Sequence, residues 1–117
     1  MRKKILIIED SADRQEEWKE LLNKYPINII QVFSLEEAER AFNDNPDLSA
    51  IAVDACVPGN EPNTMELARK MRNSFTDRPM IAISNVEDFN DILMSAGCDY
   101  KTDKFKFVQK IKEVLNF

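Results

Sequence analysis

The chain has 117 residues, 44% of them hydrophobic and 32% charged, with a formal net charge of −5. That length makes one domain, residues 1–117, with a core of its own, and the acidic balance argues against direct nucleic-acid binding, which needs a basic face. The absence of histidine excludes Ser-His or Cys-His nucleophilic catalysis and any histidine phosphorelay step within the chain.

Along the chain, short apolar runs alternate with helical patterns. Ile5-Leu6-Ile7-Ile8 is a continuous run of the kind buried on both faces of a parallel sheet. It is too short for a signal peptide or a membrane span, so a cytoplasmic protein is expected. Trp18, Leu21, Leu22 and Tyr25 repeat at i, i+3, i+4 and i+7, predicting an amphipathic helix over 12–24 that Pro26 ends. Ile29, Ile30 and Val32 give a second strand. Ser34-Leu35-Glu36-Glu37 reads as a capping box, opening a helix with Leu35, Ala38, Ala41 and Phe42 inward.

A third strand is expected at 50–53, then a helix after Asn63 that buries Leu67, Ala68, Met71 and Phe75. Met80 to Ile83 makes a fourth strand. A helix over 87–96 follows, closed by Gly97, then a weak strand at 99–101 and a last helix with Val108, Ile111, Val114 and Leu115 on one face. Five β-α units in succession predict a doubly wound parallel sheet. Cys56 and Cys98 lack CxxC spacing and read as small buried hydrophobes, which sets aside a zinc site and a disulfide.

Carboxylates gather where the apolar strands end: Glu9-Asp10 after the first, Asp54 after the third, and Asp103 near the C-terminus. In doubly wound sheets ligands bind outside the carboxyl ends of the strands, at the point where strand order reverses. If the first and third strands are neighbours, Glu9, Asp10 and Asp54 converge there. Each like-charge pair at roughly 5 Å costs about 3 kcal/mol at an effective dielectric of about 20. Mg²⁺ with oxygen ligands, shared with phosphate, relieves that repulsion.

The runs I-L-I-I-E-D, I-A-V-D-A-C-V-P-G, M-I-A-I-S and A-G-C-D-Y-K-T-D-K-F resemble the receiver domain of bacterial two-component response regulators over essentially the whole chain. The resemblance implies a flavodoxin-like (βα)5 fold with strand order 2-1-3-4-5. It casts Asp54 as the acceptor of a phosphoryl group from a histidine kinase or histidine phosphotransfer protein. Glu9 and Asp10 match the acidic pair that holds Mg²⁺, Asp10 directly and Glu9 through water, and the main-chain carbonyl of Cys56 matches a further metal ligand. Ser84 matches the hydroxyl that hydrogen-bonds the phosphoryl group, and Tyr100 the aromatic switch residue.

One departure stands out. The family has a lysine followed by proline after the fifth strand, as in T-K-P-F, whereas this chain reads Thr102-Asp103-Lys104-Phe105. An anion thus takes the lysine position. Lys104 swinging back one residue, Lys101 reaching across, or Asp103 turning to solvent to cap the last helix would compensate. The reading favours a pocket without its lysine and a phosphorylation switch weakened or lost.

The leading expectation is a stand-alone receiver domain, with Phe117 closing the last helix, that signals to an unknown downstream protein by docking rather than by enzymatic turnover. The face of the fourth helix, fifth strand and fifth helix, carrying Met94, Tyr100, Lys101 and Lys104, is the expected reporter, and a homodimer through it stays open. The alternative is a pseudo-receiver, a phosphorylation-independent interaction module whose support is Asp103. A small Mg²⁺-dependent phosphohydrolase is a third reading. The lysines at 101, 104, 106, 110 and 112 read as a solvated helix face.

Overall fold

The computed structural model describes residues 2–117. Among them, strands and helices alternate as β1 (Lys3–Ile8), α1 (Ala12–Leu22), β2 (Ile27–Val32), α2 (Leu35–Asp44), β3 (Ala50–Asp54), α3 (Met65–Arg72), β4 (Met80–Ile83), α4 (Glu87–Ser95), β5 (Tyr100–Thr102) and α5 (Phe107–Leu115). All strand pairings are parallel, in the order β2-β1-β3-β4-β5. This is the predicted doubly wound, flavodoxin-like (βα)5 sheet.

Period-2 geometry sends alternate residues of each strand to opposite faces. Leu6, Ile8, Ile51 and Val53 pack with Ala38, Ala68, Met71 and Leu93 from α2, α3 and α4. Ile5, Ile7, Ala50 and Ala52 pack with Trp18, Leu22, Phe107 and Ile111 from α1 and α5. The four apolar residues Ile5–Ile8 are wholly buried, and each contributes about 1.5–3 kcal/mol relative to exposure. Burial in β1 alone therefore outweighs a few kcal/mol of carboxylate repulsion at its end.

Strand register builds the site. Ile8 lies opposite Val53, Asp54 opposite Ile83, and Ile83 opposite Thr102. The residues that follow, Glu9-Asp10, Ser84 and Asp103-Lys104, leave the sheet along the same edge as Asp54. The chain passes from β1 to β2 on one side and returns to β3 on the other, so the reversal crevice opens at Glu9 and Asp54.

Helix boundaries follow the expected signals with informative exceptions. Ser34 Oγ accepts from Glu37 N at 3.2 Å, while Glu37 Oε1 accepts from Phe33 N and from the Ser34 hydroxyl. α4 closes as a Schellman motif: Cys98 N donates to Leu93 O and Gly97 N to Met94 O. Gly97 has φ +124, and a Cβ there would meet Arg72 side-chain carbons at 3.1 Å, so both backbone and neighbour select glycine.

α1 ends at Leu22, with Tyr25 outside it, and Leu21 is exposed. The inward stripe is Gln15, Trp18 and Leu22, because a buried glutamine occupies the turn expected of an apolar residue. In α5, Phe107 joins Ile111 and Leu115 in the core and packs against Trp18 with the rings tilted by 59° and centroids 4.6 Å apart. Val108 and Val114 are only partly buried.

Candidate functional site

Glu9, Asp10 and Asp54 each bring a carboxylate oxygen to within 4.8 Å of the others. Glu9 is fully buried and Asp54 nearly so, while Asp10 is half-buried. Glu9 Oε2 accepts from Ser11 N at 3.1 Å, and Asp54 Oδ1 accepts from Cys56 N at 3.4 Å. The remaining oxygens face Lys104, whose Nζ lies 2.8 Å from Glu9 Oε1 and 3.3 Å from Asp54 Oδ2. The Glu9 contact is an ion pair without the alignment of a hydrogen bond, since Glu9 Oε1 has no hydrogen-bond partner among the described residues. These side chains line one cleft of about 470 Å³ with Ser11, Cys56, Gly59, Asn60, Ser84, Asn85, Val86 and Phe89.

The lysine corrects the sequence reading. Asp103 in the lysine position predicts a pocket without its cation. Instead Lys104 folds back over the carboxylates, its N–H anchored on Asn85 Oδ1 at 2.8 Å. Asp103 turns the other way and its Oδ1 accepts from Lys106 N at 2.8 Å, at the start of α5. Lys101 takes no part, being paired with Asp91 and Glu87. A lysine's flexible four-carbon stem absorbs a shift of one residue, about 3.8 Å along the chain.

Burial raises the Asp54 carboxyl above the usual carboxylate range, and Lys104 opposes the shift without cancelling it. Asp10 is raised too, chiefly by burial and then by Glu9. Burial works against the charged form of Lys104, but Glu9 and Asp54 outweigh it and hold the ammonium above its ordinary value. The Cys56 thiol is pushed up by burial and then by Asp54, which keeps it a neutral thiol rather than a soft ligand.

The donor set fits a small hard divalent cation. It offers carboxylate oxygens at short mutual range, one of them a buried oxygen lacking a hydrogen bond, and no thiolate or imidazole competes.

Residues that the sequence did not single out hold this edge in place. Gln15 on α1 donates through Nε2 to the carbonyls of Ile7, Glu9 and Val32 at 3.1–3.2 Å. Asn90 on α4 donates through Nδ2 to the carbonyls of Ser84 and Thr102 at 3.0 and 3.1 Å. Each buried amide ties two strand ends to one helix. Below Asp54, Thr64 Oγ1 donates to the carbonyls of Asp54 and Ala55, and Asn63 exchanges two 2.8 Å bonds with the Val57 backbone. A polar residue on a helix reads in sequence as solvent-facing, so neither Gln15 nor Asn90 carried a signal.

Ser84 lines the cleft, and its Oγ accepts from Val86 N at 3.0 Å, leaving its own proton free to donate. Tyr100 stands apart. It is exposed and lines a different cleft with Arg78 and Pro79, toward the opposite end of β4 from Ser84. Met94 packs against the core and Lys104 points into the site, so of the four expected reporter residues Tyr100 and Lys101 face outward. Of the other lysines in the basic run, Lys110 pairs with Glu113 and Lys112 lies over the Tyr25 ring. No helix among the described residues is long and apolar enough to cross a membrane.

No family model and no curated protein matches the sequence. Solved structures match it closely in shape. A two-component response regulator from Clostridium difficile superposes with a TM-score of 0.81 at 23% identity, covering 98% of this chain and 97% of that one. A response regulator protein from Burkholderia pseudomallei, solved with a phosphorylated aspartic acid, a calcium ion and citrate, superposes at 0.82 with 16% identity over 97% of this chain and 66% of its own. The signal receiver domain of an HD domain-containing protein from Pseudomonas fluorescens gives 0.80 at 11% identity, over 98% and 88%. The chain therefore carries the receiver-domain fold of response regulators.

Proposed function

We propose that this protein is a phosphoacceptor signalling domain in which Asp54 takes a phosphoryl group from a phosphohistidine on a histidine kinase or phosphotransfer partner. The observation that carries the reading is the convergence of Glu9, Asp10, Asp54 and Lys104 in one open cleft. A phosphorylated aspartic acid and a calcium ion in the Burkholderia pseudomallei protein support the same chemistry on this fold.

Asp54 is the nucleophile: an Oδ–P bond forms as the P–N bond breaks, and the electron pair stays on the leaving imidazole. A carboxylate attacks well only when the phosphoryl charge is offset and the approach is in line. Lys104 Nζ and the Ser84 hydroxyl would donate to phosphoryl oxygens. Asp10, Asp54 and the Cys56 carbonyl would hold Mg²⁺, with Glu9 bound through water. When bound, the cation offsets charge on the phosphoryl oxygens.

Phe105 is 80% exposed beside Lys104, with the Arg14 guanidinium over its ring at 4.8 Å, and offers an anchor for a docking partner. Signalling then passes to a downstream protein, with Ser84, Asn90 and α4 the route by which acyl-phosphate formation is felt at the exposed face around Ile92 and Tyr100. A switch role for Tyr100 requires its ring to move toward Ser84.

The test uses a small P–N donor, phosphoimidazole, with Mg²⁺ and intact-mass readout. One phosphoryl adduct per chain, absent in Asp54→Asn, is expected. No adduct under any condition would favour a phosphorylation-independent interaction module, and multiple turnover of the donor would favour a phosphohydrolase.

A further inference from the structure

We infer that Lys104 is a resident counter-ion that competes with the divalent cation for Glu9, so that metal uptake requires the lysine to release that carboxylate. The inference rests on the proposed metal-dependent reading of the site and adds a threshold to it.

Glu9 is fully buried and has little freedom to reorient. Its Oε2 is committed to the Ser11 N–H, which leaves Oε1 as the oxygen it can turn toward a cation, directly or through water. That oxygen is the one Lys104 holds, at 2.8 Å, half an ångström closer than the ammonium stands to Asp54. The lysine therefore neutralises the pair from the side where a cation would be shared. The backbone of Lys104 is fixed by Asn85, but the stem beyond Cα is flexible and the side chain retains 19% exposure, so it can withdraw without unfolding the loop.

A monovalent ammonium and a divalent cation repel strongly at such distances, and the carboxylates cannot serve both at full strength. Cation entry thus frees Lys104 from Glu9 and leaves it beside Asp54 Oδ2, where an incoming phosphoryl group needs a donor. Lys104, held on Glu9 in this way, sets metal affinity below what the carboxylates alone would give.

Calorimetric titration of Mg²⁺ into wild type and Lys104→Gln at neutral pH tests this. At least tenfold tighter binding by K104Q is expected; equal or weaker binding overturns the inference while leaving the metal site standing. Uptake by neither protein overturns the inference together with the metal-dependent reading. Nitrogen-15 NMR of the lysine ammonium groups in wild type, with Lys104 assigned by K104R, gives a second readout that does not depend on K104Q folding. The Lys104 signal should move in step with Mg²⁺ saturation, and a stationary signal during saturation contradicts the release.

Discussion

Lys104 reaches both Glu9 and Asp54 from one position beyond the place where the family pattern sets its lysine. Its side chain supplies at the carboxylates the cation that the local sequence, read position by position, lacks. The anion at that position, Asp103, instead accepts from Lys106 N in the turn that leads into α5.

Loss of that cation should slow phosphoryl transfer. A hydrogen bond to a charged group contributes about 1.5–3 kcal/mol, so Lys104→Met should cut the rate of labelling by a small donor roughly 10- to 100-fold. Time-resolved intact mass spectrometry measures it. A labelling rate equal to wild type would mean that the lysine takes no part in transfer.

Asp103, turned away from the cleft, should matter to stability rather than to chemistry. Asp103→Ala removes the acceptor for Lys106 N in the turn before α5 and should cost about 1 kcal/mol, seen as a lower denaturant midpoint. Asp103→Lys should leave labelling within about twofold of wild type. Strongly enhanced labelling in that variant would return Asp103 to the site.

Asn90 should be structurally expensive to lose. Asn90→Ala leaves the Ser84 and Thr102 carbonyls without their shared donor in a buried position, costing about 2 kcal/mol or roughly 5–10 °C in Tm. Thermal unfolding followed by circular dichroism gives the answer, and an unchanged Tm would show that the clamp is not needed.

The acidic pocket should lower stability at neutral pH in metal-free protein. Asp54 and Asp10 are both raised above the usual carboxylate range on folding. The folded state therefore binds their protons more tightly than the unfolded state. Their favourable contribution is present below the unfolded value of about 3.8 and is lost as pH rises through the folded values. Asp54→Asn, neutral throughout, should thus be more stable than wild type at pH 7, with the gain shrinking as pH falls toward 4. Denaturant unfolding in EDTA at several pH values measures the difference, and a gain that grows on acidification would reverse the assignment.

Much of the architecture was legible in the sequence because its signals are local. The apolar runs of β1, β3 and β4, the capping box at Ser34 and the closing glycine at Gly97 each declare themselves within a few residues. The carboxylates were legible because each stands at or just past a strand end, and parallel register then brings strand ends together. What was hidden depends on side-chain reach or on which face a polar residue takes. Lys104 required a flexible stem to fold back, Gln15 required a buried helix position, and Phe107 required the α5 stripe to begin one residue earlier than Val108. Tyr100 matches a motif, yet it stands exposed on the edge strand β5.

In the proposed reaction the gathered carboxylates act on phosphoryl groups through a divalent cation. Intact-mass labelling of the wild-type chain by phosphoimidazole, run in parallel with Mg²⁺ and with EDTA, tests it most directly. One adduct is expected in Mg²⁺ and little or none in EDTA; equal labelling in both would mean that transfer does not run through a divalent cation.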